Sequence, residues 1–212
     1  MEFPDMRAVL DYKNVEAYLA KQVPKASWGA VILNLALMII IGGIANIIAV
    51  LLRPMVSSLV PSIAGISLAA ASGNMSIGMT IMVLAAGFIG FFILGGIMHL
   101  LAKAFGGTGR MVQLLYLMSV AGLAVLPISV VLVLLTIIPC VSCISGICSL
   151  AIAAYLYYLY YLMIKMVYGL DSGKAILTLV AYFAVIIIIS VILGVILIAL
   201  SALSVAGASE LR

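Results

Sequence analysis

Three long intervals of this chain carry no formal charge: Arg53 to Lys103, Arg110 to Lys165, and Lys174 to Glu210. A soluble domain cannot leave that much apolar chain unrelieved, so lipid is the solvent for most of the protein. Composition agrees, with 67% hydrophobic and 8% charged residues among 212 and a mean hydropathy of +1.45. The isoelectric point of about 9.0 reflects only ten basic against six acidic residues. Beside apolar segments those bases orient the chain. They are too scattered for the continuous basic face that phosphate contacts require, which excludes nucleic acid as a partner.

A bilayer core of about 30 Å needs about 20 apolar residues per helix. Five segments meet that length, at about 28–52, 77–101, 112–138, 143–164 and 175–203. Helix is forced, because in lipid each backbone polar group must be satisfied within its own segment, and the continuous runs lack the alternation of a barrel strand. The first run, 31–52, is 22 residues long and follows four acids, so it reads as a span and not as a cleaved signal.

The stretch 53–76 is ambiguous, with six serines, Pro54, Pro61 and Gly65. As a sixth span it would divide the bases five and five. With five spans Arg7, Lys13, Lys21, Lys25, Lys103, Arg110, Lys165 and Lys174 share one side, leaving Arg53 and Arg212 on the other. The positive-inside rule selects the second arrangement. The fold class expected is therefore all-α: a polytopic integral membrane protein of five transmembrane helices, N-terminus cytoplasmic and C-terminus outside. Residues 1–27 form a cytoplasmic amphipathic segment, 28–203 the membrane domain, and 204–212 an outer tail. The stretch 53–76 becomes an outer loop with interfacial or re-entrant character.

The N-terminal segment reads as two short helical pieces. Met6, Val9 and Leu10 share one face; Val15, Tyr18, Leu19 and Gln22 continue on another, with Asn14 as the cap at the break. Its four bases and four acids cancel, so it is no polybasic tether. It is expected to lie on the interface or under the bundle, with Trp28 as anchor.

Chemistry-bearing candidates are few. His99 stands four residues before Lys103 on one helix face, where a lone imidazole lacks the partners of a proton relay. Cys140, Cys143 and Cys148 fall one ligand short of a structural zinc site, leaving a local disulfide or small turn residues. The loops at Gly106–Gly107–Thr108–Gly109 and Gly169–Leu170–Asp171–Ser172–Gly173–Lys174–Ala175 imitate phosphate loops. The second is one residue short between its glycines, has Ala175 where a hydroxyl belongs, and neither follows a strand. Both read as tight turns. Asp171 is the single acid between Glu16 and Glu210, so the paired carboxylates of membrane proteases and headgroup transferases are missing. No enzyme, metal or cofactor is expected. Asn34, Asn46, Tyr155 and Tyr158 remain as a polar, tyrosine-rich lining for a path, if one exists, with helix packing the plainer role for polar residues in spans.

The run from His99 through Lys103 to Gly106-Gly107-Thr108-Gly109-Arg110, followed by a span holding Gly122 and Pro127, resembles the pattern of the Yip family of Ypt/Rab-interacting membrane proteins. The stretch Tyr168-Gly-Leu-Asp-Ser-Gly-Lys174-Ala175 is similar to that family's histidine-glycine-leucine-serine stretch and the entry to its last span, with Tyr168 and Asp171 as departures. The likeness extends over about 77–203 and is closest to the prokaryotic branch. It implies five spans with a cytoplasmic N-terminus, and protein partners or self-association in an archaeal or bacterial cell membrane. The roughly 25 residues ahead of the first span lack the Asp-Leu-Tyr-Gly-Pro motif of eukaryotic members, which argues against a Rab-type GTPase as partner. The motif residues singled out are His99, Gly106, Gly107, Pro127, Gly169, Lys174 and Ala175.

Mid-span, Pro127 removes one backbone hydrogen bond and kinks its helix. The kink is expected to open a cytoplasmic crevice beside residues 106–109, with Ser119, Ser129 or a water satisfying the freed carbonyl. The function expected is that of a non-enzymatic scaffold or interaction protein. The alternative is a small transporter, channel or lipid-handling protein.

Overall fold

In a computed structural model the chain is described at residues 8–9, 11, 13–59 and 77–210, without side chains at 53–59, 77, 79–80, 139–140, 142–143, 193 and 196–210. All regular structure among the described residues is helical. A short helix α1 (Val15–Gln22) and a 3-10 turn (Val23–Lys25) lead into α2 (Trp28–Leu59), α3 (Ile77–Ala104), α4 (Met111–Leu135), α5 (Pro139–Tyr168) and α6 (Ser172–Glu210). Each of α2 to α6 is long and apolar enough to cross a membrane. The five expected spans are therefore the five long helices; α2, α3, α5 and α6 run past the expected ends, whereas α4 stops short of its expected end. Helix α2 continues to Leu59; the rest of the 53–76 stretch lies outside the described residues.

Helix α4 is the axle. It packs most extensively on α2 and α5 and also touches α3, while α3 and α5 each meet α6. From Leu114 to Ala121, and again from Leu123 to Val125, every residue of α4 is buried. Apolar composition alone does not put it at the centre, since α3 is as apolar and mostly faces lipid. The outer helices turn isoleucine, leucine and valine outward, as at Ile44, Ile89, Ile147 and Ile187. In lipid these exposed residues sit in their own solvent. Helix association then rests on close packing and on hydrogen bonds between helices.

One such bond joins the axle to α2: the Asn34 amide donates to Ser119 Oγ over 3.1 Å, and the same hydroxyl donates to the Tyr116 carbonyl over 2.7 Å. Glycines let the helices approach. A Cβ on Gly95 would collide with Leu115, and one on Gly43 would stand 2.8 Å from Leu84.

The N-terminal segment departs from the sequence expectation. Val9, Val15 and Leu19 are fully buried and belong to the same core as α4. Helix α1 rests on α5, and the 3-10 turn rests on α4. The Tyr155 hydroxyl donates to the Val9 carbonyl, and the Tyr116 hydroxyl to Gln22 Oε1 over 3.3 Å. The segment thus runs alongside the bundle and not flat beneath it, because its inward face offers apolar side chains that α4 and α5 can cover. Asn14 stands at the expected break, but its side chain caps nothing. It donates to Asp11 Oδ2 over 2.6 Å, while the Asp11 carbonyl receives the Asn14 and Val15 amides.

Candidate functional site

The two family-like sequence pieces, far apart along the chain, meet at one end of the bundle. Helix α3 closes on a Schellman turn: the Gly106 amide bonds the Lys103 carbonyl at 3.0 Å and the Gly107 amide the Ala102 carbonyl at 2.9 Å. Gly106 has φ +92°, which an L side chain rarely adopts. The loop then lies directly on the end of α5. The Thr108 amide donates to the Tyr168 carbonyl over 3.3 Å. A Cβ on Gly107 would stand 2.7 Å from Tyr168 Cβ and 2.8 Å from the Ala102 carbonyl oxygen, and one on Gly109 2.5 Å from the Val167 oxygen. Gly107 leaves room for the Tyr168 side chain, and Gly109 for the α5 backbone itself.

Beneath the loop, Tyr168 is only 1% exposed. Its hydroxyl lies 2.5 Å from His99 Nδ1, with ring centroids 5.6 Å apart. His99 and Tyr168 therefore fasten α3 to α5 at their last turns. After Tyr168 the chain reverses through Gly169, with φ +63°, into α6, where Ala175 is buried and its amide bonds the Asp171 carbonyl at 2.9 Å. Lys174 points outward, and its carbonyl receives the buried Thr178 hydroxyl. Of the motif residues, Ala175 is buried in the core, Gly106 and Gly169 supply left-handed turns, and beside them His99 and Gly107 meet Tyr168 in one clamp. Lys103, Thr108, Arg110, Asp171 and Lys174 are exposed around it.

Pro127 is not part of this cluster. It lies about 24 Å along α4 from Met111, at 1.5 Å per residue. It therefore opens no crevice at residues 106–109, where the glycines are packed against α5. Beyond the proline lies the other end of α4. There a cavity of about 240 Å³ is lined by Ser129, Leu132, Val133 and Thr136 of α4 and by Ser149, Ile152, Ala153 and Leu156 of α5. Ser129 Oγ donates to the Val125 carbonyl, not to the Leu123 carbonyl that the missing proline N–H leaves free. Thr136 and Ser149 likewise bond their own helices, to Val133 and Ser145.

Asn34, Asn46, Tyr155 and Tyr158 stand apart. Asn34 is spent on Ser119 and Tyr155 on Val9. Asn46 bonds the Gly42 carbonyl of its own helix at 2.8 Å, and Tyr158 is exposed beside the Tyr155 ring. The tyrosines facing α6 pack on aromatic rings, with Tyr157 and Phe183 centroids 4.3 Å apart. Cys148 is a free, exposed thiol, whereas the side chains of Cys140 and Cys143 lie outside the described residues. Among the described residues no three His, Cys, Asp or Glu side chains gather as a metal site. Sequence reading missed the Gln22–Tyr116 and Val9–Tyr155 contacts. Their signal was the apolar face of Val9, Val15 and Leu19, which says that a partner exists but not which.

No curated protein and no solved structure matches this chain. The family model for the Yip1 domain matches residues 16–194, a range that takes in α1 and the first span as well as both motif loops. Five apolar helices and that match together make this a multi-pass integral membrane protein belonging to the Yip1 domain family.

Proposed function

We propose that the chain is a non-enzymatic membrane scaffold or interaction protein that organises membrane or assembles partner proteins, in trafficking-like processes, from a prokaryotic cell membrane. One observation carries the reading: His99, Gly107 and Gly109 are consumed in locking the loops onto Val167 and Tyr168, so what the loops present outward is a surface of Lys103, Thr108, Arg110, Asp171 and Lys174. A rigid, charged loop surface on a bundle fastened at the same end suits recognition by a protein or by a second copy. The order of the helices puts Lys25, Lys103, Arg110, Lys165 and Lys174 at that end, which supports its facing the cytoplasm. The prokaryotic address rests on motif resemblance alone.

The test is chemical cross-linking and capture from native membranes, comparing the intact chain with Lys103→Glu/Arg110→Glu. Recovery of the same partners by both would remove the loop surface from the reading. The alternative, a transporter, channel or lipid-handling protein, has the cavity beyond Pro127 in its favour. Flux through proteoliposomes containing the purified chain, abolished by Ala153→Leu, which fills the cavity, would replace the scaffold reading.

A further inference from the structure

The two sides of the basic end meet the bilayer at different levels. On one side large apolar residues stay exposed almost to the helix ends: Leu100 on α3 is 68% exposed, and Ile176 and Leu177 on α6 are 53% and 52% exposed. At 1.5 Å per residue they stand roughly 6–8 Å from those ends. Acyl chains must reach that level there.

On the other side lies the N-terminal segment. Tyr116, near the start of α4, holds Gln22. Tyr155 holds Val9, and Tyr155 lies about 20 Å along α5 from Tyr168. Long side chains in a helix lean toward its N-terminus, so the tyrosine hydroxyl reaches further from the basic end, not back toward it. Half a hydrocarbon core is about 15 Å. Between Val9 and Gln22 the inward positions Val15 and Leu19 are buried, while Asp11, Lys13, Asn14, Glu16 and Lys21 are exposed. Charged side chains thus face outward here over depths at which α3 and α6 present leucine and isoleucine.

Hydrocarbon does not solvate such groups; water, headgroups and local thinning do. Asp11, at the deep end, has no long stem with which to reach a distant surface, and its carboxylate is fixed by the Lys13 amide at 3.1 Å and by Asn14. Along the ledge acids and bases alternate, from Asp11 and Lys13 to Glu16 and Lys21. That pattern complements the phosphate and ammonium of a zwitterionic headgroup better than it does a purely anionic one.

We propose that the outward face of the N-terminal segment binds zwitterionic phospholipid headgroups and holds the headgroup boundary beside α5 some 10–15 Å deeper than beside α3 and α6. One leaflet is therefore thinned on one flank of the protein. The proposal rests on the membrane placement of the bundle and is independent of the scaffold role.

The experiment uses the full chain with its three cysteines replaced by serine, reconstituted in phosphatidylcholine vesicles. A bimane is attached at Glu16→Cys, and reference labels at Leu100→Cys and Ile176→Cys. Vesicles carry a nitroxide either on the choline headgroup or at mid-chain. The headgroup nitroxide should quench the label at position 16 at least twofold more than the chain nitroxide, with the reverse at positions 100 and 176. Stronger quenching by the chain nitroxide at position 16 would overturn the proposal. So would the absence of quenching there by either, since another copy or a protein would then cover the face. The reference sites report whether the labelled chain retains its fold. A second arm labels Asn14→Cys and adds Glu16→Leu/Lys21→Leu, which should shift quenching toward the chain nitroxide; no shift would show that these charges do not hold the headgroups. None of these outcomes depends on flux or on captured partners.

Discussion

The half of the bundle near the two motif loops and the half beyond Pro127 are built from the same kinds of residue and packed differently. In the first, α4 is buried on all sides, two glycine-bearing backbones touch, and hydrogen bonds tie α2 to α4 and α3 to α5. In the second, α4 residues are half-exposed, the Ser129, Thr136 and Ser149 hydroxyls turn back to their own helices, and a cavity separates α4 from α5. In lipid, burying apolar surface does not by itself distinguish a good contact from a poor one. Tight packing occurs where small residues and cross-helix hydrogen bonds select it, and those devices are concentrated at the motif end.

The largest break in this contrast should come from Leu117→Ala in the middle of the buried stretch. Large-to-small changes in tight cores cost about 2–5 kcal/mol, and the lower part of that range applies where the alternative environment is lipid. Leu132→Ala, which only enlarges an existing cavity, should cost less than half as much; thermal unfolding in detergent compares the two. Next, Gly109→Ala should cost about 1–3 kcal/mol by overpacking, because the added carbon would stand 2.5 Å from the Val167 carbonyl oxygen. Gly146→Ala meets nothing within 4 Å and should be neutral or stabilising by up to about 1 kcal/mol, since alanine is the better helix former.

Smaller effects sharpen the comparison. Asn34→Leu and Ser119→Ala should each cost about 0.6–1.7 kcal/mol, the range of interhelical hydrogen bonds in membranes. A double-mutant cycle should find them coupled. Tyr168→Phe, which removes the hydroxyl facing His99, falls in the same range, whereas Ala153→Leu, which fills space in the cavity, should change stability by about 0.5 kcal/mol or less. Equal costs across the two halves would mean that the cavity is closed in the membrane.

Much of the fold was legible because its cause is local. A backbone in lipid must satisfy its hydrogen bonds within each segment, so length and hydropathy give five helices. The turns at Gly106 and Gly169 were also readable, since glycine after an apolar helix marks a left-handed cap. The contact between them was not. Nothing in either stretch alone says that Gly107 and Gly109 lie against Tyr168, or that His99 is Tyr168's partner. Those depend on which helices are neighbours. Pro127 shows the opposite error: a real local feature assigned a distant consequence that the length of α4 does not permit. Nothing near Tyr155 says that its hydroxyl donates to the carbonyl of Val9, 146 residues earlier in the chain.

The sequence by itself determined that this is an all-helical membrane protein and how many times it can cross. Hydropathy and charge act residue by residue against the solvent, so they need no knowledge of packing. Tertiary structure alone decided that α4 is the axle, that two loops form one clamp, and that the N-terminal segment lies along the bundle. Each depends on whether particular surfaces fit within van der Waals distance, and that is a property of pairs of segments and not of any one of them.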